Sequence, residues 1–275
     1  MTGPPPPRKR LGQHFLTDRN ILDRIAAALA APPGATVLEI GPGRGALTEI
    51  LAERAGRLVA IELDRELVRY LVDRFKGRSN VQIVEADALS VVWGALAGGS
   101  YYLAGNLPYY VTTPLLFRVM EEPRPERAVF VVQEEVARRA VARAGTREYG
   151  ALSVNLQVWS RPFLAGRIPA GAFYPRPKVD SAILVIEKRD LVPLPPTEAA
   201  PFSRFTKSLF GLRRKQLGRA LRELWALAPG EAEALLGRLG IGPAVRAEAI
   251  EPDQIVRLYL ERPLGLSGAD ERARS

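Results

Sequence analysis

From Thr17 onward the chain alternates between two hydrophobic periods. Ile21, Leu22, Ile25 and Leu29 recur at the spacing of one helix face, with Thr17 or Asp18 placed to cap it. Short, nearly unbroken apolar runs then take turns with amphipathic ones. TVLEI (residues 36–40) reads as a buried strand, GPGRG (41–45) as a turn and ALTEILAERA as a helix. RLVAIE, VQIVEAD, YYLAG and RAVFVVQ read as further strands, and DRELVRYLVDRF, TPLLFRVMEE and EEVARRAVARA as helices. This rhythm predicts an α/β fold: a mostly parallel sheet with helices on both faces. Two more strand-like runs, LSVNLQVWS (152–160) and SAILVIEKR (181–189), have no helix pattern between them and are expected to pair antiparallel at the sheet edge.

Prolines gather in DLVPLPPTEAAP (190–201), which reads as a linker. Beyond it the pattern is helical throughout: FTKSLFGLRRKQLGRALRELWAL, then EAEALLGRLG, then PDQIVRLYLER. The expected organisation is therefore a disordered, basic, proline-rich N-terminus (1–10), an α/β domain (11–195) and a small all-helical domain (196–275) with a frayed tail from residue 268.

Composition narrows what such a chain can be. It has 275 residues, 47% of them hydrophobic, enough for a substantial core, and no apolar run long enough for a membrane helix. MTGPPPPRKR carries no apolar segment behind its basic residues, so it does not read as a secretory signal, and a cytosolic protein is the simplest expectation. Cysteine is absent and His14 is the single histidine, which excludes a disulfide scaffold and argues against a metal site. A net charge of +9 points to a polyanionic partner such as nucleic acid, although a general bias toward arginine would raise it too.

The glycine turn lies between the first strand of the alternation and the next helix, where open parallel sheets bind ligands. Gly41, Gly43 and Ala46 fit G-x-G-x-x-A, a pattern that does not separate a nicotinamide cofactor from S-adenosylmethionine. Glu62 ends the second strand of the alternation, where a carboxylate can accept both ribose hydroxyls, and Asp87 ends the third, where one can accept from an adenine amine. Either could instead be an ordinary acid at a strand end. Glu39 and Asp64 are weaker candidates, and Asp64 can equally cap the helix that follows it.

The next strand delivers Asn106-Leu107-Pro108-Tyr109 to the same rim. An exocyclic adenine amine is a poor nucleophile because its lone pair is delocalised into the ring. Two acceptors on its hydrogens, the Asn106 side-chain oxygen and the Leu107 carbonyl, would localise that pair, and Pro108 holds Leu107 extended. Tyr109 can stack on the base and stabilise the developing positive charge. In the helical region, Lys215, Arg219 and Arg222 recur at i, i+4 and i+7 on one face, opposite Leu217, Leu221 and Leu224; that face suits RNA phosphates or plain solvation.

These motifs taken together resemble the ribosomal RNA adenine N-6,N-6-dimethyltransferases of the small-subunit (RsmA/KsgA) type. RLGQHFL (10–16), VLEIGPGRGALT (37–48), GNLPYYVTTPLL (105–116), VQEEVARR (132–139) and FYPRPKVDSAIL (173–184) carry the resemblance, which extends from Arg8 to about Leu260. It implies a Rossmann-like class I methyltransferase fold with a seven-stranded sheet, and S-adenosylmethionine held by His14, Leu16, Gly41, Glu62, Asp87 and Asn106. It also implies a target adenine between Tyr109 and Phe173. The implied substrate is a pair of adjacent adenosines in a hairpin near the 3′ end of 16S ribosomal RNA in the small subunit, modified by a monomer late in ribosome biogenesis. Two positions depart from the family pattern: His14 stands where asparagine is usual, and Tyr110 follows the NLPY tyrosine where asparagine is usual. The related large-subunit methyltransferases, and a non-enzymatic RNA-binding assembly factor on the same fold, are the competing readings.

Overall fold

Residues 3–8 and 11–263 are described by a computed structural model. In chain order its strands are β1 (Phe15–Leu16), β2 (Thr36–Ile40), β3 (Arg57–Glu62), β4 (Val81–Glu85), β5 (Tyr101–Asn106), β6 (Arg127–Gln133), β7 (Ser160–Ile168), β8 (Phe173–Tyr174) and β9 (Ser181–Lys188). The helices are α1 (Arg19–Leu29), α2 (Ala46–Arg54), α3 (Arg65–Phe75), α4 (Trp93–Ala97), α5 (Thr112–Arg118), α6 (Glu134–Val141), α7 (Ala151–Trp159), α8 (Ala199–Gly211), α9 (Leu217–Trp225), α10 (Pro229–Arg238) and α11 (Pro252–Leu260). The chain divides into two units. One comprises the described residues up to Ala137 together with Arg161–Lys188; the other comprises Arg138–Ser160 and the described residues from Arg189 onward.

The first unit is built on a seven-stranded sheet in the order β4-β3-β2-β5-β6-β9-β7. β4 through β6 run parallel, and β9 returns antiparallel against β6. The parallel strands are apolar on both faces because helices cover both, so Leu38, Leu58, Val59, Ala60, Leu103 and Ala104 are buried outright. Truncating a fully buried leucine such as Leu38 to alanine costs about 2–5 kcal/mol. α1 forms where its apolar stripe predicts: Ile21, Leu22, Ile25 and Leu29 face the core. Asp18 provides the cap, accepting from the N–H groups of Asn20 and Ile21 at 2.9 and 3.3 Å. The result is a Rossmann-like α/β architecture with a helical C-terminal region.

Two expectations are corrected. LSVNLQVWS is not an edge strand but helix α7. Leu152, Val154, Leu156 and Val158 alternate as in a strand, yet Ser153 and Asn155 between them are also buried. Those polar groups are satisfied within the second unit: the Ser153 hydroxyl donates to Arg139 O, and Asn155 Nδ2 to Ala151 O and Thr206 Oγ1. A helix buried on all sides has no exposed face for periodicity to reveal. The strand at the sheet edge is β7, whose Pro162 and largely exposed residues hide it from a hydrophobic pattern; edge strands tolerate both.

The long C-terminal run is also two helices rather than one, α8 and α9, separated by Leu212–Gln216. The first N–H groups of α9 are taken from outside the helix, Leu217 by Val245 O at 2.7 Å and Gly218 by Pro243 O at 3.2 Å. The turn lets Phe205 of α8 stack on Trp225 of α9, with ring centroids 5.4 Å apart.

At the N-terminus, Pro5 and Arg8 make contacts with the rest of the first unit. Arg44 donates to Pro5 O at 2.8 and 3.2 Å, and Arg8 pairs with Asp64 at 2.9 Å and Glu66 at 2.6 Å. A proline-rich segment has little conformational entropy left to lose, so a few contacts hold it. Residues 1, 2, 9 and 10, and the tail expected to fray, lie outside the described residues. Among the described residues no helix is long and apolar enough to cross a membrane.

Candidate active site

The carboxyl ends of β2, β3 and β5 meet at one rim of the first unit, above a cavity of about 300 Å³. The register fixes this convergence: Ile40 of β2 lies beside Gly105 of β5 and Ile61 of β3. Gly41 turns the chain out of β2 with φ +67°, and its N–H donates to Ile61 O. Gly43 follows at φ +58°, and a Cβ there would meet the Phe15 ring at 2.9 Å. Glycine is required on both counts, since the backbone must adopt a left-handed turn directly beneath the β1 aromatic.

Glu62 holds that turn. Its Oε2 accepts the Gly43 N–H at 3.2 Å, while Oε1 accepts from Leu63 N and Asp64 N, both at 2.9 Å. Burial pushes its carboxyl above the usual range, and the backbone donors pull it back. Each carboxylate oxygen accepts more than one hydrogen bond, so Oε2 keeps capacity for a ligand hydroxyl. Beside it in the cavity wall, Glu39 is 1% exposed and its Oε2 has no hydrogen-bond partner. Burial, with a smaller contribution from the Glu62 carboxylate, pushes the Glu39 carboxyl up to about 8. A charged residue inside the apolar TVLEI strand was the sequence signal for it. Asp64 caps α3 through Glu66 N at 3.1 Å and receives Arg8 and Gln13, so the capping alternative holds for that residue.

β5 brings the NLPY segment in from the other side. Asn106 Nδ2 donates to His14 O at 2.8 Å, leaving Oδ1 as the end of the carboxamide available to a ligand. Leu107 N donates to Val131 O, and the Pro108 carbonyl closes the turn by accepting from Val111 N and the Thr112 hydroxyl, each at 3.1 Å. The Tyr109 ring stacks on the His14 imidazole, centroids 5.5 Å apart with planes at 26°. Its hydroxyl meets Ser181 Oγ at 3.3 Å, a fully buried partner on β9 that sequence reasoning missed because a lone serine in a strand carries no pattern. His14 Nδ1 in turn lies 2.7 Å from Pro175 O, tying the loop after β8 to the same wall.

His14, Leu16, Gly41, Gly43, Glu62, Asn106, Leu107 and Tyr109 thus share one cavity. Two expected members do not line it. Asp87 is exposed two residues beyond β4 and caps its own turn, its carboxylate accepting from Leu89 N at 2.8 Å. Phe173 is 5% exposed and belongs to the core cluster, where β8 pairs with β1 through Leu16. In the second unit, Arg219 is exposed and Arg222 half-buried on α9, neither ion-paired among the described residues. Lys215 precedes that helix and is salt-bridged to Glu223, so the three cations do not form one helical face.

An orphan carboxyl oxygen at one end of the cavity and a hydroxyl-accepting carboxylate beside a glycine turn fit a ligand with a cationic amine and a ribose. No group of three His, Cys, Asp or Glu able to hold a metal exists among the described residues.

Comparison with known proteins agrees with this arrangement. The family model described as ribosomal RNA adenine dimethylase matches residues 7–262. A ribosomal RNA small subunit methyltransferase A from Rubrobacter xylanophilus is 44% identical over 260 residues, which span 93% of this chain and 95% of that protein. Among solved structures, a dimethyladenosine transferase from Plasmodium falciparum superposes with a TM-score of 0.77 at 22% identity, over 90% of this chain and 97% of that one. The 23S rRNA methyltransferase ErmE superposes at 0.70 with 28% identity, over 90% and 99%.

Proposed function

The chain belongs to the ribosomal RNA adenine dimethylase family, and from that premise we propose what it modifies and which residues do the work. It is an S-adenosylmethionine-dependent ribosomal RNA adenine dimethyltransferase. Its proposed substrate is the pair of adjacent adenosines in a hairpin near the 3′ end of 16S RNA, acted on in the cytoplasm by a monomer, late in small-subunit assembly. Similarity along nearly the whole chain to a relative named for the small subunit supports this choice over the large-subunit RNA.

The cavity residues divide the task. S-adenosylmethionine, when bound, supplies an electrophilic methyl group. Gly41, Gly43, Glu62, His14 and Leu16 hold the cofactor, Glu39 offers its free oxygen to a cationic amine, and Asp87 is the proposed acceptor for the adenine amine at the rim. Asn106 Oδ1 and the Leu107 carbonyl accept the two hydrogens of the target amine, localising its lone pair toward the methyl. The methylated amine is strongly acidic and releases its proton without a dedicated base. Tyr109, backed by His14, offers its other face to the base. Phe173 reaches a base only if β8 shifts. Arg219 and Arg222 are the proposed phosphate contacts, and Lys215 becomes available to one only when it leaves Glu223.

The observation that carries this reading is the convergence of Asn106, Tyr109 and Glu62 on one cavity. Incubating the protein with labelled cofactor and unmethylated small subunits, then mapping the modified nucleotides, tests it. Dimethylation of two neighbouring adenosines near the 3′ end is expected; small subunits left unlabelled, or labelled only elsewhere in their RNA, overturn the substrate assignment.

A further inference from the structure

Tyr110 and Tyr174 are large aromatic side chains that the catalytic account leaves unused, and they are 57% and 59% exposed. Both rest on one short piece of chain. The Tyr110 ring lies against Gly12, where a Cβ would sit 3.6 Å from its Cδ1. Tyr174 is the strand partner of Phe15. Between those seats His14 stacks on Tyr109 and anchors the loop after Tyr174 through Pro175 O. Three residues of chain reach at most about 10 Å, so the seat of Tyr110 at Gly12 and the strand partner of Tyr174, Phe15, lie within that span on either side of the residue that backs Tyr109.

The same loop carries Arg176 and Lys178, both exposed. Arg176 lies near enough to Asp180 to join the Ala170 N–H and Arg167 in holding its carboxyl below the usual range, but neither cation forms a direct salt bridge among the described residues. Exposed aromatic faces interleaved with exposed cations are how proteins hold single-stranded nucleic acid: rings take bases and cations take phosphates. A duplex would bury its base faces, so the fit is to an unpaired stretch with splayed bases.

We propose that Tyr110 is a stacking platform for the base next to the target adenine, with Tyr174, Arg176 and Lys178 guiding the strand that leads to it. This rests on the RNA methyltransferase reading above and adds a residue that sets local substrate fit.

The test uses the full chain and a short loop RNA containing the target adenosines, with 2-aminopurine placed either at the target position or beside it. Quenching beside the target is expected with the wild-type protein and with Tyr110→Phe, and is expected to be lost in Tyr110→Ala and Tyr110→Asn. Under multiple turnover, Tyr110→Ala raises KM for the RNA by about tenfold, within the range set by loss of one stacked base. Quenching beside the target that is equal in wild type and Tyr110→Ala overturns the proposal. Quenching at the target position reports on the Tyr109 pocket instead, so its absence in the wild type points to failure of the function assigned above, not of the platform.

Discussion

Glu62 Oε2 accepts the Gly43 N–H at 3.2 Å while its other oxygen accepts from Leu63 and Asp64, so one buried carboxylate organises both the glycine turn and the start of the next helix. Removing it therefore strands three backbone donors as well as the proposed cofactor contact. Glu62→Ala is expected to weaken S-adenosylmethionine binding by about 2–3 kcal/mol. Glu62→Gln, which keeps one acceptor, should lose less. Calorimetric titration of both variants checks this, and a wild-type affinity for Glu62→Ala contradicts the role.

Glu39 makes the ligand-free protein sensitive to pH in an unusual direction. Its carboxyl titrates near its ordinary value when unfolded and at about 8 when folded, because burial disfavours the charge. Between those values the folded state binds the extra proton, so this residue's stabilising contribution is complete below the unfolded value and is lost as pH rises through about 8. The slope from one such group is at most about 1.4 kcal/mol per pH unit. Thermal denaturation of the ligand-free protein from pH 5 to 8 should show Tm falling more steeply in the wild type than in Glu39→Gln. Parallel curves for the two would remove Glu39 as the cause.

On α9, the salt dependence of RNA binding separates phosphate contacts from solvated charge. With two cations available, Arg219→Ala/Arg222→Ala should lower the log–log slope by about 1.4 to 1.8, at 0.7–0.9 counterions per contact. Lys215→Ala, which removes a residue already paired with Glu223, should change it much less. Filter binding from low to moderate salt measures both. An unaltered slope in the double variant means the arginines are only solvated.

The convergence of most candidate-site residues on one cavity was legible in the sequence because they sit at the ends of buried parallel strands, where apolar runs such as TVLEI and RLVAIE stop at glycine or a carboxylate. Asn106, Glu62 and the glycine turn needed only that rule. The pairing of β1 with β8 was not legible: two-residue strands far apart in the chain carry no periodicity, and Phe173 is buried because of that pairing. The sequence did not show that Asp87 also bonds its own backbone, since a strand-end aspartate carries no pattern that separates a ligand contact from a turn contact such as the one to Leu89 N. The α7 segment failed for the opposite reason, as complete burial erased its helical face.

In the proposed reaction Asn106 Oδ1 acts on the target amine in the transition state while Tyr109 contributes its ring. The Asn106 carboxamide is oriented by the His14 carbonyl, and the Tyr109 hydroxyl has only a long contact to Ser181. Single-turnover methylation of small subunits at saturating cofactor measures both directly. Asn106→Ala is expected to slow the step by about 100-fold or more, a loss of about 2.7 kcal/mol. Tyr109→Phe should keep most of the rate and Tyr109→Ala should lose it. A wild-type rate for Asn106→Ala, or a Tyr109→Phe protein as inactive as Tyr109→Ala, would contradict the account.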